Sequence, residues 1–342
     1  MSCVHDFATL RDILLEASPG SDKLVCHHTL RMQRGIPVKC GVNLINFGPG
    51  ARPDSLMQWA ILTETLGYHF LMTSDHVAIT PDVQGRYPAP FYEPFTTLGW
   101  LAGVTRRIEI GTTVIVLPYR NPLEVARMAA NVDQLSGGRL LFGVGVGWAE
   151  QEFAVLGVPF HRRGALTDEY LAAIKTLWTH DVASFEGRHV AFQEVHTAPR
   201  PVRVPHPPIW VGGASDAALR RAIRYGDAWH PIRIRVDWLR DTGLPRLQQL
   251  AAQEGKPVPA LCPRIRLRLT DTPLPEDQRV AGEGTLDQVH ADLAALQGLG
   301  AQYVLLDTFF GDVDTIRQHE TSWRMLTTLA EQVVDLKHAA LR

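Results

Sequence analysis

From Lys39 onward one unit repeats along the chain: a short apolar run, a loop of glycine, proline or polar residues, and a helix with one apolar face. The apolar runs fall at 40–45, 69–73, 108–116, the stretch 137–148, 208–211, 226–230, 264–269 and 303–306. Most of them are continuously apolar, so both faces are buried, which is the mark of a parallel sheet covered by helices. Eight units over roughly three hundred residues predict an α/β fold of the (β/α)8 TIM-barrel type with small insertions, in preference to an open doubly wound sheet. That architecture places catalytic groups where strands end and loops begin.

The helix signals agree with this division. Asp54 caps a helix stopped by Gly67, Asn121-Pro122-Leu123-Glu124 opens another, and Thr285 with Gln288 forms a capping box. A final helix is expected over 313–336. Two segments stand outside the repeat: a proline-rich loop at 77–93, and a hairpin at 184–193 turning at Glu186-Gly187. Residues 1–38 do not share the pattern, although 6–17 has helical spacing. We read 1–38 as an N-terminal extension, peripheral or disordered, and 39–342 as one barrel domain. With 45% hydrophobic residues and a net charge of -2, nothing points to a nucleic acid or a membrane surface. No apolar run has spanning length and no leader pattern opens the chain, so a cytoplasmic protein is expected. The four cysteines are scattered as reduced thiols, and Cys26-His27-His28 lacks a second pair at finger spacing, so no metal site is expected.

Four strand ends carry chemistry. Asp75-His76 follows the second strand, and a histidine there can shuttle a proton near neutral pH. Thr113 and Val114 lie in the β-branched third strand. Gly143, Gly145 and Gly147 end the fourth, but Trp148 and Glu150 stand where a dinucleotide fingerprint would need glycine. Bare backbone there either turns the strand or lets a ligand approach. Gly212-Gly213-Ala214-Ser215 precedes a helix, a position suited to a phosphate, or simply to a serine cap. The acids Glu93, Glu150 and Glu152 have no spacing that marks a carboxylate pair. Walker, metal-helix and nucleophile-elbow motifs are absent.

In their order and spacing, several words resemble the luciferase-like monooxygenase superfamily, and within it the oxidoreductases that use the deazaflavin coenzyme F420. They are TSDHV at 73–77, GTTVIVLPYRNPLEVA at 111–126, LSGGRLLFGVGVGWAEQEF at 135–153, FHRRGALTDEYLAAIKTLW from 160, FEGRHVAF at 185–192 and PPIWVGGASDAALRRAIRYGDAWHP at 207–231. The resemblance covers 40 to about 310. It implies a flavin-type ring at the C-terminal ends of the strands, with Thr113-Val114 as a non-proline cis peptide supporting it. Asp75 and His76 would lie beside the ring, Gly145, Gly147 and Gln151 would form a wall, and Gly212, Gly213 and Ala214 would take the phosphate. His76 would handle the proton, and Tyr87, Phe91, Tyr92, Tyr119 and Trp148 would line the substrate side. Some sugar-phosphate dehydrogenases of this family have a glutamate where this chain has Trp148, so that chemistry is not expected here. The resulting expectation is hydride transfer between coenzyme F420 and a small organic substrate, in a homodimer. Two alternatives stay open: an FMN-dependent monooxygenase fed by a separate reductase, and a flavin-binding barrel without turnover.

Overall fold

The computed structural model describes residues 37–342. The expected N-terminal helix at 6–17 and Cys26-His27-His28 lie outside the described residues, as does nearly all of the expected extension.

The strands, in chain order, are β1 (Lys39–Leu44), β2 (Phe70–Thr73), β3 (Glu109–Thr112), β4 (Ile115–Val116), β5 (Leu140–Gly145), β6 (Val182–Glu186), β7 (Ala191–His196), β8 (Ile209–Gly212), β9 (Ala228–His230), β10 (Ala260–Leu261), β11 (Arg264–Arg266), β12 (Arg268–Leu269), β13 (Glu283–Gly284) and β14 (Tyr303–Asp307). All eight expected strands are found, some of them in two pieces. The main sheet runs β10-β9-β8-β5-β3-β2-β1-β14-β11, with β4 also on β5, and every pairing in it is parallel. Parallel neighbours need crossovers, and the helices that supply them pack on the outside of a curled sheet. On its inner face Phe70, Met72, Leu141, Trp210, Ala228, Cys262 and Leu305 form a separate apolar cluster. These residues come from the strands' earlier positions, so the space above them, at the strands' C-terminal ends, is left for polar side chains.

Two boundaries differ from expectation. The seventh strand begins at Ala260, earlier than 264, and Pro263, which has no N–H to donate, separates β10 from β11. Its last residues, β12, leave the main sheet and pair with β13. The final helix is shorter than 313–336: a turn at Asp314–Ile316 precedes a helix at Glu320–Gln332. Val333 and Val334 then bury themselves in a small antiparallel hairpin, β15 (Val334–Asp335) with β16 (Ala340–Leu341). The insertion hairpin is β6 with β7, as its turn signal indicated. No helix among the described residues is long and apolar enough to cross a membrane, and no cluster of three or more His, Cys, Asp or Glu side chains among them could hold a metal ion.

Candidate functional site

The site begins with a fault in the third strand. Gly111 pairs with Leu141 and Ile115 with Val144, so four residue steps on one strand oppose three on the other. The extra residue makes a bulge, a device that re-aims backbone near functional sites. Within it the Thr113-Val114 peptide is cis. The glycines of β5 fit this bulge. A methyl group on Gly143 would run into the Thr112 carbonyl oxygen, and on Gly145 it would lie 2.6 Å from Val114 Cγ2. One on Gly147, whose φ is +79°, would lie 2.6 Å from Val116 Cγ1. Close approach is therefore real, but what approaches is first of all the neighbouring strand.

Two polar systems converge on the bulge. From one side, Arg264 Nη1 donates to the Thr113 carbonyl at 2.8 Å and to its hydroxyl at 3.2 Å. The same guanidinium is held by Asp307 at 2.7 and 3.0 Å, and Asn43 Nδ2 donates to Asp307 at 2.9 Å. The Thr113 hydroxyl in turn lies 2.9 Å from His230 Nε2, while His230 Nδ1 meets the Cys262 carbonyl. A carbonyl can only accept, so Nδ1 carries the proton and Nε2 accepts from Thr113. Burial pushes the His230 pKa down to about 4, outweighing the Cys262 carbonyl, which acts the other way.

This has a consequence for stability. Because its folded pKa lies below the unfolded value of 6.5, His230 contributes stability that is fully present above pH 6.5 and is lost as the pH falls towards 4. Over that window it should remove about 3 kcal/mol of unfolding free energy. In urea titrations the His230→Gln variant should show a correspondingly flatter pH dependence than the parent. Parallel pH curves for the two would show that the buried imidazole is not the titrating group.

On the other side of the cleft, Asp75 accepts from Arg120 in a bidentate pair at 2.8 and 2.9 Å and from Val116 N at 2.8 Å. His76 Nδ1 lies 2.6 Å from Glu152, which is fully buried. Glu152 also accepts from Val77 N (2.6 Å), Ala78 N (3.0 Å) and the Tyr119 hydroxyl (2.8 Å). Burial alone would raise its pKa, but the hydrogen bonds from His76, Val77 and Tyr119 hold it below the usual carboxylate range. A carboxylate accepts and does not donate, so His76 Nδ1 is the protonated nitrogen and Nε2 is free for a ligand.

Around these groups lies an open cavity of about 240 Å³. It brings together Asp75, His76, Tyr87, Thr113, Val114, Gly145, Gly147, Trp148, Gly212 and Gly213 from the expected set, and Arg264 from outside it. Phe91 stands behind, stacked on Phe47 and edge-on to His76 at 5.4 Å. Four expected residues are placed elsewhere. Tyr119 does not line this cavity: it is buried against Phe153 with its hydroxyl donating to Glu152. Gln151 is exposed and exchanges hydrogen bonds with Asp82, tying two short helices together. Tyr92 is engaged through its backbone by Asn46. Ala214 is exposed beside the Gly212-Gly213 turn and does not line the cavity.

Sequence reasoning missed Glu152, Arg264 and His230. One signal was available for Glu152: at helical spacing it shares a face with Ala149, Phe153 and Leu156, and an acid on an apolar face needs a buried partner. Asp307, a charge at the end of the apolar strand Tyr303–Asp307, is a similar signal, whereas Arg264 stands in an Arg-Ile-Arg strand and carries none.

The family model for luciferase-like monooxygenases matches residues 38–273. A Mycobacterium tuberculosis protein of uncharacterised role is 31% identical over 223 residues, 58% of this chain and 79% of that one. The FMNH2-dependent dimethylsulfone monooxygenase of Pseudomonas putida is 32% identical over 142 residues, 41% of this chain and 39% of that enzyme. Among solved structures, an F420-dependent secondary alcohol dehydrogenase, in complex with an F420-acetone adduct, aligns with a TM-score of 0.68 at 18% identity, over 82% of this chain and 96% of that one. At that identity the likeness is one of fold.

Proposed function

The chain belongs to the luciferase-like monooxygenase family, whose members are oxidoreductases and monooxygenases, and on that premise we propose that it is an F420-dependent oxidoreductase. The observation that carries this reading is the pairing of a glycine-backed bulge at Thr113-Val114 with an oriented proton carrier, His76 on Glu152, across one cleft. We also propose that the curled sheet closes as a (β/α)8 barrel through 260–266. The support is Cys262 N bonding to Trp229 O on one side and Leu305 N to Pro263 O on the other.

The cleft fits a planar ring with a phosphate-bearing tail. Val114 and Val116 offer an apolar face, while Gly212-Gly213, with φ +108° at Gly213, opens the helix Asp216–Tyr225. Ser215 caps this helix by accepting from Ala218 N at 3.3 Å; the earlier N–H groups of the turn suit a phosphate, and the one acid there, Asp216, is already paired with Arg246. A deazaflavin has carbon in place of a flavin ring nitrogen, so when bound it supplies two-electron hydride transfer and activates oxygen poorly. The chain's own share is positioning and proton handling. Glu152 keeps the proton on His76 Nδ1, so Nε2 can take or give the proton that accompanies reduction or oxidation of a polar bond. Arg264 and His230 fix the Thr113 peptide, Arg120 fixes Asp75, and Tyr87 and Trp148 form an aromatic lip that limits water.

A second reading, an FMN-dependent monooxygenase served by a separate reductase, is favoured by the 32% identity to the dimethylsulfone enzyme. Titrating each cofactor into the purified protein under anaerobic conditions and following fluorescence separates the two. Saturable F420 binding, with FMN binding at least about tenfold weaker, is the expected result. Tight FMN binding without F420 binding would sink the deazaflavin reading. F420 binding with no hydride exchange to any acceptor would make the protein a cofactor-binding barrel.

A further inference from the structure

A second cavity, of about 270 Å³, opens at the same end of the sheet between the N-termini of two helices, Pro53–Leu66 and Glu320–Gln332. Both helices follow a strand, so both point their N-termini towards the face that carries the cleft. The cavity's walls are fixed by close packing. Gly50 N donates to the Ile316 carbonyl at 3.0 Å, and a methyl group on Gly50 would collide with the Ile316 and Arg317 carbonyl oxygens.

Among the described residues, the lining of this space leaves three buried ring nitrogens without a hydrogen-bond partner. His319 is only 3% exposed, yet neither of its ring nitrogens has a hydrogen-bond partner. The Gly50 carbonyl accepts from Ser55 Oγ at 2.8 Å and lies near the ring, but outside hydrogen-bonding geometry. The indole Nε1 of Trp323 is also buried and unpartnered. The His319 ring cannot swing away to find a partner, because Trp59 and Trp323 pack against it at 5.7 and 5.8 Å between ring centres. On the first helix Ser55 Oγ accepts from Arg52 N at 2.9 Å, the second has no side-chain cap, and Arg52 has no ion-pair partner among the described residues. Buried donors without acceptors are costly, and such groups ordinarily mark a missing partner.

We propose that this cavity is a binding site for a carboxylate, held by Arg52, a His319 ring N–H, the Trp323 indole N–H and the open first-turn amides of the helix Glu320–Gln332. The Trp323 indole N–H, one His319 N–H and the Arg52 guanidinium are donors, so the ligand brings acceptors. Charge then narrows the class. Asp54 and Glu320 stand exposed on the rim and Arg317 is committed to Asp314, so a dianion is repelled where a single charge is tolerated. A planar carboxylate, singly charged and two-pronged, meets both conditions; a phosphate dianion does not. The site is separate from the cleft and does not depend on which cofactor binds there.

The test follows the indole N–H resonances of the full-length protein by 15N NMR, assigned with Trp→Phe variants, while acetate and then inorganic phosphate are added. The expected result is a saturable acetate-induced shift of the Trp323 signal, with little movement of Trp148 at the mouth of the cleft. The Arg52→Gln variant, a surface change that leaves the fold alone, should weaken acetate binding roughly tenfold. Three results would overturn the proposal: no saturable shift at Trp323, a shift confined to Trp148, or phosphate binding more tightly than acetate. Acetate affinity unchanged in Arg52→Gln, with Trp323 still responding, would equally remove the arginine from the site and with it the charge argument.

Discussion

Replacing His76 by alanine is expected to lower kcat by roughly 10²- to 10⁴-fold while the Kd for the cofactor moves by less than about threefold. The asymmetry follows from where the imidazole's bonds go. Its Nδ1 is spent on Glu152, 2.6 Å away, and only Nε2 faces the cleft. A group with one free nitrogen contributes little to holding a large ring and its tail, but it is the one poised to move a proton. Glu152→Gln should reproduce much of the loss without touching the ligand, because an amide cannot hold the proton on Nδ1 as a carboxylate does. The double variant should be little worse than the worse single one, as expected for residues that act as a unit. Turnover unchanged in His76→Ala would take the histidine out of the chemistry and leave the dyad a structural feature. Single-turnover kinetics alongside equilibrium fluorescence titration separates the two quantities.

A second large effect is expected from Gly143→Ala. The added methyl would meet the Thr112 carbonyl oxygen, a backbone atom that can retreat only by moving the bulge. Overpacking against side chains typically costs 1–3 kcal/mol, and a backbone obstacle puts the cost at about 3 kcal/mol or more. The contrast is Gly99→Ala, on the helix Pro94–Val104, where a methyl group meets nothing within 4 Å. There alanine should stabilise by about 0.5–1 kcal/mol through helix propensity. Urea unfolding of the two variants should thus move the midpoint in opposite directions. A neutral Gly143→Ala would mean that β5 and the bulge are not packed as described.

These two sites also mark what could be read from the sequence. The strand-helix repeat was legible because burial on both faces writes itself into short apolar runs, and Asp75-His76 and Gly212-Gly213 were legible because strand ends are where chemistry collects. The glycines of β5 were visible as an anomaly, but their partner was not. That Gly143 and Gly145 face Thr112 and Val114 is a matter of register between strands some thirty residues apart, which no local pattern encodes. Glu152 was hidden for a similar reason: its partners, His76, Val77 and Ala78, are more than seventy residues away. Tyr119 looked like a substrate-facing aromatic because aromatic residues near a strand end have that prior, whereas its hydroxyl was needed by the buried carboxylate. Pro263 carried a legible signal in its missing N–H, and starting the seventh strand after it, at 264, left out the piece Ala260–Leu261 that pairs on its other side.

The most direct measurement is a crystal structure of the protein with oxidised F420. The expected result is a ring lying against Thr113-Val114 with His76 Nε2 within about 3 Å of the reacting region, and the phosphate on the Gly212-Gly213 turn. A ring seated away from the bulge, or a phosphate in the cavity beside Arg52 and His319, would contradict it.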